Sequence, residues 1–378
     1  AMVLLVSAGL LGQSLYRLLH VDIGIQPDHL AILEVAVPKS NYAKDEQAIA
    51  LGRQVVSRIT SLPGVKSVGI SSQLPVSGNG NTDWIRFLGR PYHGEHNEVN
   101  ERDVSAEYFT TLGAKLLRGR YFTDAEDTSK PRVVIINQAL ARQYFPGEDP
   151  IGKKIGDTDL SPKSMKEIIG IVDDIREGAL DSEIWPATYV PFNQSPDTYF
   201  SLVVRTSQAE HSLLPALIAS IRQIDRGIVM SPGAVMSEMI RDSPSAYLHR
   251  SSALLVGGFA VLALLLGVVG LYGVVAYSVS QRTREMGIRM ALGAQAGSVY
   301  QLILKEAGWL TAIGIVVGLV CSVAAATLIR GLLFGVRSWD MPTLAAVAAV
   351  LGIASLLASY IPARRAASVN PVEALRAE

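Results

Sequence analysis

The stretch SSALLVGGFAVLALLLGVVGLYGVVAYSVSQ, residues 251–281, decides the fold because it runs from Arg250 to Arg282 without a charged side chain. Residues 307–329 and 341–363 form two further uncharged stretches. A helix needs about 20 apolar residues to cross the hydrocarbon core of a bilayer, and buried helices of water-soluble proteins rarely run this far without a charge. The sequence therefore predicts three membrane-spanning helices in its C-terminal part.

A fourth apolar stretch opens the chain and covers residues 1–16, ending at Arg17. It falls short of the roughly 20 residues that a spanning helix needs. It has no basic region before it and no clear cleavage site, so it does not fit a signal peptide. We predict a first transmembrane helix at 1–20 that is truncated in this sequence, and we expect the sequence to be part of a longer protein.

The charge balance argues against a nucleic-acid-binding protein, and the cysteine content excludes a disulfide within the chain. The chain has 34 basic and 34 acidic side chains, whereas a nucleic-acid-binding surface needs a basic excess, so no nucleic-acid partner is expected. Cys321 is the single cysteine and cannot form a disulfide within the chain. Because Cys321 lies inside an apolar stretch, we interpret it as a small packing residue.

Basic residues beside the apolar stretches predict the orientation in the membrane. The segment between the second and third predicted spans carries Arg282, Arg284, Arg289 and Lys305, and the tail carries three more arginines. Lys and Arg accumulate on the cytoplasmic side, so both segments should lie inside. The predicted order is transmembrane helix 1 at 1–20, an outer domain at 21–246, helix 2 at 251–281, a cytoplasmic segment at 282–302, helix 3 at 303–330, an outer turn at 331–340, helix 4 at 341–363 and a cytoplasmic tail at 364–378.

The outer domain is predicted to be mixed α and β. A strand at 30–37, a helix at 44–62 and a strand at 65–74 form one β-α-β unit, and the helix ends at Pro63-Gly64. A second unit follows at 199–230, where Ser207 and Glu210 are predicted to form a capping box at the start of its helix. Shorter strands are predicted between them at 84–88, 132–136, 166–172 and 187–191. We expect two subdomains, one built from the two β-α-β units and one inserted between them.

No motif in the sequence predicts catalysis or metal binding. Residues 147–154, GEDPIGKK, resemble a phosphate-binding loop, but the last position is Lys instead of the hydroxyl that binds Mg²⁺. His93 and His96 flank Glu95 without an evident third ligand, which is typical of a solvated loop. We therefore predict a chain that is not an enzyme and that has no cofactor of its own.

The cytoplasmic segment contains RTREMGIRMALGA at 282–294. Met286 and Met290 are four residues apart, as are Ile288 and Leu292, and small residues at 287, 291, 293 and 294 permit close contact with a partner. Methionines make an adaptable apolar surface, which favours a docking helix. An interfacial helix whose arginines contact lipid headgroups fits the same pattern, and the pattern alone leaves both interpretations open.

The third predicted span contains Gly314 and Gly318. Such a GxxxG pair lets another helix approach closely, and we predict that these two glycines pack transmembrane helices together. Glycine is also frequent in membrane helices in general, which is the alternative interpretation.

Several motifs together resemble one known family. RTREMGIRMALGA and the tail IPARRAASVNPVEALRAE look like the corresponding segments of the FtsX-like permeases, which include the MacB-type ABC transporters. LLRGRYFTDAED, VVIINQALARQYFPGEDPIGKKI and IIGIVDDIREGALDSE look like the periplasmic core domain of that family. The chain looks most similar to the acidobacterial duplicated orphan permeases, and within that group to a C-terminal half.

The resemblance implies an α+β protein of the bacterial inner membrane, with a periplasmic domain of Porter-like and Sabre-like subdomains between helices 1 and 2. It implies a permease subunit that couples a cytoplasmic ABC ATPase, supplied in trans, to periplasmic motion for export or efflux. ATP would act only through that ATPase. The implied coupling helix consists of Arg284, Glu285, Met286, Gly287, Ile288, Arg289, Leu292 and Gly293.

Further partners implied by the resemblance are membrane lipid, a homologous half in a permease dimer or pseudo-dimer, and a periplasmic adaptor. Two alternatives to transport stay open. Relatives in this family regulate other proteins or transmit signals, and a structural membrane protein without energy coupling would also fit the missing ATPase domain.

Overall fold

The computed structural model describes residues 1–38, 40–282, 285, 288–289 and 296–367. The chain divides into two compact units, an α/β domain at Val21–Ala246 and a helical unit made of Ala1–His20 and the residues from Tyr247 onward. The predicted fold class is confirmed, since one candidate spanning helix precedes the α/β domain and three follow it.

The helical unit is built from long apolar helices. They are α1 at Met2–Leu19, α7 at Pro244–Gln281, α8 at Ala296–Leu328 and α9 at Met341–Ala367. Among the described residues, these four helices are long and apolar enough to cross a membrane. A short 3₁₀-helix at Arg330–Leu332 follows α8. Helix α7 begins at Pro244, before the predicted start of the span at residue 251.

The α/β domain contains the remaining elements of the described chain. The helices are α2 at Asp45–Thr60, α3 at Tyr108–Leu112, α4 at Gln138–Tyr144, α5 at Glu210–Ile224 and α6 at Met236–Arg241. The strands are β1 at Leu30–Ala36, β2 at Val65–Ser71, β3 at Thr82–Phe87, β4 at Glu98–Val104, β5 at Leu116–Gly119, β6 at Val133–Asn137, β7 at Lys154–Asp157, β8 at Lys166–Val172, β9 at Ala187–Pro191, β10 at Tyr199–Thr206, β11 at Val229–Met230 and β12 at Ala234–Val235.

The two predicted β-α-β units are present and interleave in one sheet. Strands β1 and β10 pair antiparallel, β10 pairs with β2, and β11 pairs with the other edge of β1. The resulting order β11-β1-β10-β2 is that of a ferredoxin-like split β-α-β fold. Apolar faces of α2 and α5 cover this sheet and form one core with it, and the side chains of Val55, Leu217 and Ile221 are fully buried there.

The inserted subdomain is a closed six-stranded barrel. Its strands follow the order β4-β3-β7-β8-β6-β9, and β9 pairs with β4 to close the ring. A second apolar core fills it, with Val99, Ile136 and Ile168 fully or almost fully buried. Closure leaves these strands without a free edge, which is the feature that protects small barrels from pairing with other chains.

The predicted capping box at the start of α5 is wrong. The helix begins at Glu210, and Ala209 is its N-terminal cap residue, with no side-chain cap. The hydroxyl of Ser207 donates to the carbonyl oxygen of Gly64 at 3.2 Å. The carboxylate of Glu210 accepts from the backbone N–H of His29 at 2.8 Å, so both side chains tie neighbouring segments together instead of capping.

Candidate functional site

The described part of the predicted coupling helix is exposed and helical. Glu285, Ile288 and Arg289 all lie on helical backbone, and Arg289 Nη2 is 2.6 Å from Glu285 Oε1 one turn earlier. Such a pair stabilises a helix by only a few tenths of a kcal/mol. Ile288 exposes 44% of its surface. The other five predicted residues lie outside the described residues: Arg284, Met286, Gly287, Leu292 and Gly293.

The two helices that flank this segment contact each other through an ion pair and an apolar cluster. Arg282, at the end of α7, forms an ion pair with Glu306 of α8, with 3.1 Å between Nη1 and Oε2. Beside it, Val275 of α7, Ile303 of α8 and Ala363 of α9 share one apolar cluster. The end of α7 therefore contacts α8, and α9 joins them through Ala363.

The first turn of α7 belongs to the α/β domain. The hydroxyl of Ser243 accepts from the backbone N–H of Ala246 at 3.4 Å, and Pro244 occupies the first helical position, where its missing N–H costs nothing. Ser245 donates to Asp181 Oδ1 at 2.7 Å, and Ala246 is buried. The end of α7 is thus bonded into the domain, while the same unbroken helix continues to Gln281.

The two predicted packing glycines have different surroundings. A Cβ built on Gly318 would lie 2.8 Å from the Met2 side chain, so α1 and α8 approach each other closely there. A Cβ on Gly314 would meet no atom within 4 Å. Gly9 of α1, which the sequence did not single out, approaches α9 in the same way, with Thr343 Cγ2 2.7 Å from the position of its Cβ.

A buried ion pair fixes one end of the barrel. Arg102 of β4 is 0% exposed and its Nε donates to Glu177 Oε2 at 3.0 Å, while the Tyr189 hydroxyl donates to Glu177 Oε1 at 2.9 Å. Arg102 Nη1 also donates to the carbonyl oxygens of Gly80 and Asn81. A buried charge must be paired in this way to be tolerated, so the network holds the loop before β3 against the barrel.

Four further charged side chains, on β3, β4 and β8, interact with one another. Lys166 of β8 is buried, and its Nζ is 2.5 Å from Glu101 Oε2. Burial raises the pKa of Asp103 to about 6; the Ser195 hydroxyl opposes this, and the negative charge of Glu101 adds to it. Burial followed by the charge of Glu101 also raises the pKa of Asp83. Asp103 is therefore a carboxyl whose pKa lies well above the usual value for aspartate, held within a network of charged and hydroxyl side chains.

The segment that resembles a phosphate-binding loop has the wrong context. It joins α4 to β7, whereas the phosphate-binding loop joins a strand to a helix. Glu148 and Lys153 form an ion pair within it. His96 stacks on Trp84 with ring centroids 4.1 Å apart. Within the described ranges, no three His, Cys, Asp or Glu side chains are grouped so that they could hold a metal ion.

Two family models match adjoining parts of the chain. The model of the MacB-like periplasmic core domain matches residues 1–224, more than half of the sequence, and the model of the FtsX-like permease C-terminal region matches residues 257–371. Together they define a multi-pass membrane permease with an α/β domain between its first and second candidate spans. The chain belongs to the MacB-like family of ABC transporter permeases.

Individual relatives agree with that assignment. The macrolide export ATP-binding/permease protein MacB of Marinobacter nauticus is 26% identical over 321 residues, which cover 82% of this chain and 47% of that protein. The uncharacterized ABC transporter permease YknZ of Bacillus subtilis is 28% identical over 302 residues, covering 76% of this chain and 72% of YknZ. The chain spans about half the length of the MacB relatives that it matches.

Solved structures of this family also resemble part of the chain. The periplasmic region of MacB from Actinobacillus actinomycetemcomitans matches with a TM-score of 0.38 and 14% sequence identity, covering 58% of this chain and 92% of that structure.

Proposed function

We propose that this chain is the permease subunit of an export system, in which a separate cytoplasmic ABC ATPase drives motion of the α/β domain in the periplasm. The observation that carries the proposal is the continuity of α7, which is a single helix from Pro244 to Gln281. One end of this helix is bonded into the α/β domain, and the other end lies next to the segment that we assign to ATPase docking.

A helix of 38 residues is about 57 Å long at 1.5 Å per residue, more than the roughly 30 Å of a hydrocarbon core. Its backbone hydrogen bonds are all internal, so it resists bending in lipid and transmits displacement along its axis. Ser243 caps its first turn, and Ser245 bonds that turn to Asp181 of the domain. Movement at the Gln281 end is therefore expected to displace the residues around Asp181.

The proposed docking surface consists of Arg284, Glu285, Met286, Gly287, Ile288, Arg289, Leu292 and Gly293. Glu285, Ile288 and Arg289 support it by their exposure. A bound ATPase shifts the equilibrium between two states of the permease only if it binds those states unequally. The Arg282–Glu306 pair and the cluster beside it connect the docking segment to three helices, so a displacement there acts on all of them.

The proposed setting is the bacterial inner membrane, with lipid around the outward apolar side chains of the helices. Leu266 of α7 is 73% exposed and Leu254 is 67% exposed, which is costly in water and favourable in lipid. We further propose that a second, homologous permease half and a periplasmic adaptor complete the machine. ATP would be bound and hydrolysed by the ATPase, and this chain would supply no catalytic group.

The proposal is tested by charge reversal in the docking segment. The full-length native protein is purified from membranes in mild detergent, and the proteins that accompany it are quantified by mass spectrometry. We expect an ABC ATPase in stoichiometric amount with the native chain and about tenfold less with Arg289→Glu, because an interface charge is reversed. Arg330→Glu is the matched control, since Arg330 is exposed, begins the 3₁₀-helix after α8 and lies next to the predicted outer turn.

A second variant separates docking from helix stability. In the double variant Glu285→Arg/Arg289→Glu, the ion pair within the helix is kept but its charges are exchanged, so the surface that it presents is altered. Loss of the ATPase in both variants supports docking at this surface. Unchanged amounts of ATPase in both variants would contradict it, and a native protein that never carries an ATPase would favour the regulatory function.

A further inference from the structure

An open pocket of about 580 Å³ lies inside the α/β domain. Five parts of the chain line it: one face of α2, strand β2, the residues just before α3, the turn at 124–127, and residues 192–193 after β9. Helix α2 and strand β2 belong to the ferredoxin-like subdomain, whereas residues 105–107 and 124–127 belong to the segment inserted into it, so both parts contribute to the walls. Sites for small organic ligands are usually pockets of about 300–1,000 Å³ with a mostly apolar lining.

The floor of this pocket is apolar and rigid. Val68, Ile70 and Phe192 are almost completely buried members of the ferredoxin-like core, and their edges form the floor. Phe192 lies so close to α2 that a Cβ on Gly52 would be 2.8 Å from its Cε1 atom. Val56 of α2 adds an apolar wall. An aromatic or branched apolar group that enters the pocket therefore finds a preformed surface and needs no rearrangement of the core.

The rim of the pocket is negatively charged. Glu107, Asp124 and Asp127 line it, and Arg53 is the one positive side chain in the lining. Asp127 already accepts from the backbone and the hydroxyl of Ser129 at 2.9 and 2.6 Å. These bonds, and then the nearby charges of Lys130 and Arg53, hold the pKa of Asp127 below its usual value, so it stays ionised.

The other two rim carboxylates differ in what they contact. Glu107 accepts from the hydroxyl of Thr110 at 2.8 Å. Asp124 has no hydrogen bond or ion pair with any described residue. With Arg53 close to Asp127, the uncompensated negative charge of the rim is concentrated at Asp124 and Glu107, directly beside an apolar floor.

We propose that this pocket binds an apolar organic cation, with its apolar body on Ile70, Val56 and Phe192 and its positive charge beside Asp124. The assignment rests on the combination of an apolar floor with an acidic rim, because an apolar cation is complementary to both. As a cargo site it rests on the proposed export function, whereas the binding itself requires neither an ATPase nor ATP. Because the walls of the pocket come from the ferredoxin-like subdomain and from the segment inserted into it, a motion of one relative to the other would change the pocket and displace a bound cargo.

The test uses two probes of nearly the same size and shape and of opposite charge, tetraphenylphosphonium and tetraphenylborate. The full chain is placed in phosphatidylcholine nanodiscs, and binding is measured by equilibrium dialysis with empty nanodiscs subtracted. We expect saturable binding of one tetraphenylphosphonium per chain and much weaker saturable binding of tetraphenylborate. Asp124→Asn should weaken binding of the cation about threefold to tenfold by removing the anchoring charge.

Two further variants locate the binding and control for charge. Ser57→Trp places an indole at the pocket mouth from an exposed position on α2 and should abolish saturable binding. Glu183→Gln removes an exposed carboxylate outside the pocket and should leave binding unchanged. Equal binding of both probes, or full binding in Ser57→Trp, would overturn the proposal. Loss of ATPase docking in Arg289→Glu is measured separately, so either proposal can fail alone.

Discussion

The α/β domain buries its large apolar side chains, whereas the membrane helices expose many of theirs. In the domain, Leu202, Val204 and Ile221 are fully or almost fully buried. In α7, Leu254 and Leu266 are mostly exposed. The same residue types serve both, so the difference lies in the solvent: water drives the first set inward, whereas lipid accepts the second set. The burial or exposure of apolar side chains therefore indicates whether a unit lies in water or in lipid, which amino-acid composition alone does not show.

The two units also treat charge differently. The domain buries a complete ion pair, Arg102 and Glu177, inside its barrel. The helical unit has an ion pair between Arg282 at the end of α7 and Glu306 of α8, and both side chains are about half-exposed. A domain in water can compensate a buried charge with a dense polar network, while helices in lipid place their charges where water reaches them.

The largest expected effect comes from breaking the buried pair. Arg102→Met leaves the Glu177 carboxylate buried without a partner, and we expect a loss of about 3–5 kcal/mol in the free energy of unfolding of the α/β domain. Pulse proteolysis of the full chain in increasing urea measures this loss. The control is Arg118→Met, which removes an exposed pair with Asp149 and should cost less than about 1 kcal/mol. Equal costs for both variants would mean that burial does not distinguish the two pairs.

An intermediate effect is expected from pH. Burial raises the pKa of Asp103 from 3.8 to about 6, so the folded domain holds a proton that the unfolded chain releases between these values. Folding stability should therefore decrease as the pH rises from about 4 to 6 and then level off, by at most about 2–3 kcal/mol. The charged side chains that act on the Asp103 carboxyl are Glu101, Lys166 and Asp197.

Asp103→Asn separates this group from other titrations. The amide cannot ionise, so the decrease between pH 4 and 6 should become smaller and the variant should be more stable than the native chain at pH 7. The same urea series, repeated at four pH values, measures both. An unchanged pH profile in Asp103→Asn would show that other groups cause the decrease.

The smallest effect tests close packing inside the helical unit. Gly318→Ala places a methyl group 2.8 Å from Met2 and should cost about 1 kcal/mol in helix packing. Gly314→Ala meets no atom within 4 Å and should be neutral or stabilising, because alanine favours a helix. Unfolding in mixed sodium dodecyl sulfate micelles compares the two. A larger loss at Gly314 than at Gly318 would contradict the proposed packing of α1 on α8.

The sequence predicts the ferredoxin-like subdomain well, because local patterns carry it. The strand at 30–37, the helix at 44–62 and the strand at 199–206 follow from apolar periodicity and from Pro or Gly at their ends, and the structure has them within a few residues. The barrel is harder to predict from the sequence. Strand β4 reads EVNERDV, and its four charged residues hide a strand whose Arg102 and Asp103 are buried in partner networks.

The candidate site is only partly predictable for the same reason. The pattern of 282–294 points to a docking helix, but the Arg282–Glu306 pair joins residues 24 apart and depends on how α7 and α8 meet. The cation pocket gathers residues from 52 to 193, with no motif in any one segment. Long-range convergence of this kind has no local signature in a single sequence.

The placement of the α/β domain and the docking segment on opposite sides of the membrane is tested most directly by cysteine accessibility from each side. Glu183→Cys and Ile288→Cys are introduced separately in a Cys321→Ser background and treated with a membrane-impermeant maleimide on cells whose outer membrane is opened. We expect labelling at 183 in these cells and labelling at 288 only after the inner membrane is permeabilised. Labelling at 288 in cells with an intact inner membrane would place the docking segment on the wrong side and contradict the coupling of an ATPase to the domain through α7.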